Sequence, residues 1–153
     1  MGLPTAKEWN ENAELYLITS IEETDLEKEK NYTAGLDGKR RFWNMIFAVP
    51  GTSKSIIITI HDKEIVNKLE AMNEFSSREL VYMDDIHFDS TELVKKIEGS
   101  NSIVPGNTWI RGYHFNLSRS GDKTVLGIVG LNPNDDIKLS RISFDVKRGT
   151  LIN

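Results

Sequence analysis

No cysteine occurs in the chain, so disulfides, thiolate nucleophiles and cysteine-bound metals are excluded. Absence of cysteine fits a reduced cytoplasm and equally the exterior of a bacterium that makes no disulfides, so it does not choose a compartment. No apolar run approaches the roughly 18 residues of a membrane-spanning helix, and the N-terminal residues lack the charged and apolar start of a signal peptide. Met1-Gly2 fails as a myristoylation start because Ala6 stands where Ser or Thr is required. Basic charge is scarce too. Nineteen Lys and Arg against 23 Asp and Glu give a net charge of −4, which offers no attraction to nucleic acid or anionic lipid. Local basic clusters such as Lys39-Arg40-Arg41 are short, and this one reads as a solvated strand entry.

The usual catalytic signatures are also missing. Serines are plentiful, but no Gly-x-Ser-x-Gly elbow and no glycine-rich nucleotide loop follows an apolar run. His61, His87 and His114 are isolated, with no HxH or HxxxH spacing, so no transition-metal site is expected and plain surface roles are assigned to His61 and His114. Two oxygen-rich stretches remain. Asp84, Asp85 and Asp89 form one, and Asn132, Asn134, Asp135 and Asp136 the other. Neither carries the glycine and terminal glutamate of an EF-hand, so both read as turn chemistry, with calcium at Asn132–Asp136 the single metal possibility kept open. No catalytic, cofactor-binding or metal-binding residue is assigned, and no cofactor is expected. Asn31-Tyr32-Thr33 and Asn116-Leu117-Ser118 match glycosylation sequons, which a bacterial reading makes irrelevant.

What is present is a soluble globular composition, 39% hydrophobic and 27% charged over 153 residues, enough for one core or for two closely packed repeats. Trp9, Ala13, Tyr16, Leu17 and Ile21 recur at helical spacing behind Pro4, which predicts an amphipathic helix from Thr5 to Ile21. Glu22 to Gly38 is charged and aperiodic, a long loop. RRFWNMIFAV alternates, with Trp43, Met45, Phe47 and Val49 on one face, and Pro50-Gly51 turns it into the strand SIIITIH. EIVNKLEAM fits either a helix or a strand. Asp89 with Glu92 three residues on forms a capping box, ahead of a buried stripe of Leu93, Val94 and Ile97. From Trp109 the chain reads as a meander. TWIRGYHFNLS alternates with Trp109, Tyr113, Phe115 and Leu117 on one face. KTVLGIVGL is nearly all apolar, and IKLSRISFDV sets Ile142, Phe144 and Val146 on one side. Gly127 and Gly130 inside that apolar strand imply bending or close packing. Buried core is the expected fate of most of Trp109, Tyr113 and Phe115, with an exposed aromatic binding strip as the rival.

The order helix, loop, Trp-opened strand, apolar strand, third strand then occurs twice, and that parallel tips EIVNKLEAM toward strand. The expected fold is therefore α+β: two tandem repeats, residues 1–83 and 84–153, each a helix packed on an antiparallel β-meander, together one compact unit.

The second half, DIHFDSTELVKKIEG, then PGNTWIRGYHFNLSR, then a hairpin ending RISFDVKRGTLI, resembles a PepSY-type domain. Its closing strand matches at Phe144, Asp145, Gly149 and Leu151, but Arg148 precedes Gly149 where that family has Thr. AELYLITSIEETD with GKRRFWNMIFAVP resembles a more divergent copy. The resemblance implies a secreted or lipid-anchored bacterial envelope protein, its export signal preceding the present sequence. It also implies a peptidase or other envelope protein as partner, membrane attachment only through a lipid anchor, and no catalytic residues to carry over. The function expected is a non-catalytic binding or regulatory module. The alternative is a small-ligand carrier or small enzyme with an acidic pocket between the repeats. Docking is expected on the Glu22–Gly38 loop, on a strand edge beside Trp43, or along Arg148–Asn153.

Overall fold

Strand β1 (Glu14–Ser20) lies near the middle of the molecule and pairs on both sides with strands far from it in sequence. The computed structural model describes residues 1–22, 34–100, 102–107 and 110–152. Trp109, the sequon at Asn31, Asn153 and most of the expected Glu22–Gly38 loop lie outside those residues. Beside β1 run β2 (Phe42–Ala48), β3 (Lys54–His61) and β4 (Glu64–Met72). On its other side run β7 (His114–Ser120), β8 (Lys123–Asn132), β9 (Asp135–Asp145) and β10 (Thr150–Ile152). They form one eight-stranded sheet in the order β10-β9-β8-β7-β1-β2-β3-β4, and every pairing is antiparallel. Two-residue strands β5 (Gly106–Asn107) and β6 (Arg111–Gly112) make a small separate ladder. Among the described residues the α-helices are α1 (Gly2–Trp9) and α2 (Ser90–Ile97).

This corrects the expected α+β pair of helix-on-meander repeats. The reason is geometric. Each helix has eight residues, so at 1.5 Å per residue it spans about 12 Å, the width of two or three strands at their usual spacing. Neither can roof a four-stranded meander. The β1–β7 pairing instead fuses the strands into one continuous surface, with Leu17 facing Ser118 and Thr19 facing Asn116.

The helix expected from Thr5 to Ile21 is likewise corrected: α1 ends at Trp9 and the rest is β1. Its pairing with β2 slips between Leu15 and Leu17, a β-bulge at Tyr16. The inward positions therefore read Ala13, Leu15, Ile18 and Ser20, spaced two, three and two, instead of the even period of a strand. A bulge imitates helical spacing over so short a run.

Elsewhere the alternation survives and sets the core. Ile58, Met45, Ile18, Leu117, Leu126 and Phe144 stand opposite one another across six strands. Above them pack Ala6 of α1, Leu93, Val94 and Ile97 of α2, and Val81 and Ile103 from the connections. Full burial of each large apolar side chain stabilises by roughly 1.5–3 kcal/mol relative to exposure. Tyr113 and Phe115 belong to this core and form no exposed strip. The capping box at Asp89 is present, with Glu92 N–H donating to Asp89 Oδ1 at 2.9 Å and Asp89 N–H to Glu92 Oε2 at 3.0 Å. Gly130 is a close-packing glycine, because a Cβ there would run into the Val104 carbonyl, which accepts a 2.8 Å bond from Leu131 N–H. The edge expected beside Trp43 is not open, since β2 lies between β1 and β3; the outer strands are β4 and β10.

Candidate functional site

An almost wholly apolar hollow of about 320 Å³ sits on the helix-bearing side of the sheet. Its floor follows from cross-strand register. Ile18 of β1 faces Met45 on one side and Leu117 on the other, Leu117 faces Leu126, and Trp43 faces Ile60. Its wall is the stretch leading into α2: Ile86, Phe88, Asp89 and Ser90. That wall is pinned from several directions. Phe88 N–H donates to Val146 O at 3.1 Å and Ser90 Oγ donates to Gly38 O at 2.7 Å. Lys96 Nζ lies 4.5 Å above the Phe88 ring and donates to Gly149 O at 2.5 Å. The cap that starts α2 therefore also builds one side of the cavity.

Among the described residues, Asp89 is the one ionisable group on the lining. The Thr91 hydroxyl, donating to it at 2.6 Å, holds its carboxyl below the usual carboxylate range, with the Glu92 and Thr91 amides adding to the effect against some burial. An ionised carboxylate thus stands at the rim of an otherwise apolar hollow. The alternative expectation was an acidic pocket; the cavity is instead apolar, with Asp89 as the single acid among the described residues, and six of its lining residues come from strands.

A second constellation supports Trp43. The indole Nε1–H donates to Arg40 O at 2.7 Å, and the indole ring stacks on Phe115 at 6.1 Å between centroids. Arg40, expected to be solvated, is buried: Nε donates to Tyr113 O at 2.8 Å, NH2 donates to Arg111 O, and NH1 lies 3.7 Å from Glu22 Oε2. The same Glu22 oxygen accepts from His114 Nε2 at 2.6 Å, while His114 Nδ1 lies 3.1 Å from Ser20 Oγ. Burial and the Arg40 charge push the His114 pKa down, against the opposing pull of Glu22. A neutral ring that donates from Nε2 to a carboxylate must accept at Nδ1, so Ser20 O–H donates to it. Ser20 Oγ meanwhile accepts the Phe115 N–H at 2.9 Å, at the position where β1 and β7 part.

Serine, histidine and carboxylate are thus in line, the order used by nucleophilic hydrolases. No sequence motif signals it, because the members sit 94 residues apart. Ser20 is only 8% exposed and its oxygen already accepts a backbone hydrogen bond, so it is not presented to a substrate. The chain of bonds fixes Arg40, and through it Trp43.

The other candidates serve local structure. Asn132 Oδ1 accepts Asn134 N–H at 2.8 Å, and Asp135 Oδ1 accepts the amides of Ile137 and Lys138, so the proposed calcium loop spends these oxygens on its own turn. Asp85 bonds Lys147 at 2.8 Å and lies 3.4 Å from Arg119; the Lys147 bond, with both nearby charges, holds its carboxyl below the usual range. Among the described residues no three His, Cys, Asp or Glu side chains converge as a metal site. His61 packs its ring 5.1 Å from Phe42, and His87 is exposed.

No family model matches the chain, so the resemblance to PepSY domains is not confirmed, and no curated protein matches it. Among solved structures, the crystal structure of a "putative lipoprotein" from Clostridium difficile 630 matches with a TM-score of 0.63, over 99% of this chain and 88% of that one. At 12% identity the likeness shows a shared fold alone. No helix among the described residues is long and apolar enough to cross a membrane.

Proposed function

We propose that the protein is a non-catalytic binding module of the bacterial cell envelope, and that its binding site is the apolar hollow beside Asp89. The observation that carries this reading is the pairing of an almost wholly apolar lining with one ionised carboxylate at its rim. Such a site takes an apolar group and orients it by one polar contact. A negative rim favours a positive neighbour, so the ligand is an apolar side chain of a protein partner flanked by Lys or Arg. The envelope location draws support from the fold shared with the clostridial protein, which is described as a "putative lipoprotein". A peptidase as partner is the narrower form of the proposal and rests on the PepSY-like residues alone.

The test uses short peptides that place Phe or Leu beside either Lys or Glu, with Trp43 emission as the readout. Saturable binding of the Lys peptides, weakened by the filling variant Ile60→Trp, is expected. Asp89→Asn keeps a good helix cap while removing the charge, and it should erase the preference for Lys over Glu. Binding that ignores the filled hollow, or no binding by either peptide set, overturns the reading.

A hydrolase reading has one observation in its favour, the Ser20–His114–Glu22 line. A fluorophosphonate probe decides it. Covalent labelling of Ser20 in the folded protein, lost in His114→Gln, would establish a nucleophile. The burial of Ser20 predicts no labelling.

A further inference from the structure

Strand β4 is the longer of the two outer strands, and among the described residues it pairs only with β3. It is exposed along nearly its whole length, including Val66 at 54%, Leu69 at 55% and Met72 at 80%. Three large apolar side chains on a long free edge are what a monomeric protein avoids.

The backbone directions on this edge can be read from the register. Asn73 N–H donates to Ser53 O at 2.9 Å, which makes Ser53 and Asn73 a hydrogen-bonded pair. Such pairs alternate along an antiparallel ladder. With Ile57 facing Leu69 and Ile58 facing Lys68, residues Leu69 and Ala71 spend their backbone groups on β3, whereas those of Lys68, Glu70 and Met72 point outward. The sequence around Leu69 is self-complementary about that residue: Lys68 and Glu70 flank it, and Val66 and Met72 stand three residues to either side.

We propose that β4 is a self-association edge, on which two copies of the chain pair antiparallel about a two-fold axis at Leu69. In that register Lys68 faces Glu70 of the second copy, and Glu70 faces its Lys68. Both pairs use outward backbone groups, so each exchanges two ladder hydrogen bonds and also sets opposite charges side by side. Leu69 meets Leu69 at the axis as a non-hydrogen-bonded pair, which matches its inward backbone. The regular ladder runs out to Asn67 facing Ala71 of the other copy at each end, because Val66 is a β-bulge residue without a partner on β3. Neighbouring registers fail on charge. Centring on Lys68 sets Lys against Lys, and centring on Glu70 sets Glu against Glu. An interface that uses one patch twice is the usual form of a two-fold dimer.

Sedimentation velocity over a concentration series reaching the millimolar range is the experiment. Wild-type protein should pass from monomer to dimer. Lys68→Glu alone and Glu70→Lys alone should each stay monomeric, because each sets two like-charge pairs at the axis. An equimolar mixture of those two variants should restore the dimer, since every facing pair is then opposite in sign. Glu70→Pro removes an amide that faces only outward, and should abolish the dimer while circular dichroism keeps the wild-type spectrum. A wild type that stays monomeric throughout overturns the proposal and leaves the edge to an extended peptide of another protein. A dimer that survives both single charge reversals overturns it too, by placing the interface elsewhere.

Discussion

Strand β8 lies third from one edge of the sheet and leaves no residue exposed, whereas β4 forms the other edge and leaves seven of its nine residues exposed. Both contain branched apolar residues, and both meet their neighbours in antiparallel register. Composition does not separate them so much as their place in the strand order. On β8 the side chains Leu126 and Ile128 meet Leu117 and Phe115 on one neighbour, and Phe144 and Ile142 on the other. On β4, Lys68 and Glu70 lie on the same face as Ile58 and Ile56 but are left exposed. Burial thus follows place in the strand order, and the exposed outer strand is free to serve contact with other molecules.

The largest expected effect is on the buried side of this comparison. Ile128 is fully buried, so Ile128→Ala should lower unfolding stability by roughly 2–5 kcal/mol, measured by urea denaturation. A loss below about 1 kcal/mol, the range of an ordinary substitution, would mean that β8 is not core and would dissolve the contrast with β4. Phe115→Ala, at the position facing Ile128, should cost roughly 3–5 kcal/mol.

A middle effect sharpens the comparison by way of pH. Two groups that support the β8 side have altered proton affinity. The carboxyl of Asp89, which caps α2, is held low chiefly by the Thr91 hydroxyl. The His114 ring, opposite Val129 of β8, is held low chiefly by burial. In both cases the unfolded chain binds the proton more readily. The stabilising contribution is therefore present above the unfolded value, about 6.5 for His and 3.9 for Asp. It is lost as the pH falls toward the folded value. Melting temperature should decline first just below neutrality and again in the acid range. His114→Gln should remove the first decline and Asp89→Asn should weaken the second. Asp89→Ala should cost about 0.5–2 kcal/mol at neutral pH through the lost cap. A melting temperature flat from pH 7 to pH 5 in the wild type would count against a lowered proton affinity at the half-buried His114.

Much of the buried side was legible in the chain. The alternation of Trp43, Met45 and Phe47, the apolar run of β8, and the Asp89–Glu92 cap each encode their own element, because period and capping are local properties. What stayed hidden depends on distance. The pairing of Leu17 with Ser118 has no local signal, and it decides that the sheet is continuous. The bulge at Tyr16 broke the strand period and made β1 read as a helix. Arg40 looks like any surface base until the carbonyls of Arg111 and Tyr113 fold over it. The apolar hollow was hidden for a different reason: its residues are those of a core, and only the placement of Phe88 and Ser90 leaves a gap above them.

The smallest expected effect falls on β4. Leu69 is half exposed, and its backbone bonds to β3 do not depend on its side chain. Leu69→Thr keeps a residue that suits a strand, so in dilute solution the unfolding free energy should move by no more than about 0.5 kcal/mol. Ile128→Ala removes apolar surface of similar kind, so the ratio of the two losses measures how far position in the sheet governs burial. Equal losses would show that β4 is covered in the monomer and would erase the distinction drawn above. Concentration adds a second axis to the same measurement. If two copies meet at Leu69, association stabilises the folded state by mass action. The wild-type melting temperature should then rise with protein concentration, and that of Leu69→Thr should rise less. The effect of Ile128→Ala should be the same at every concentration, because nothing at that position faces another molecule.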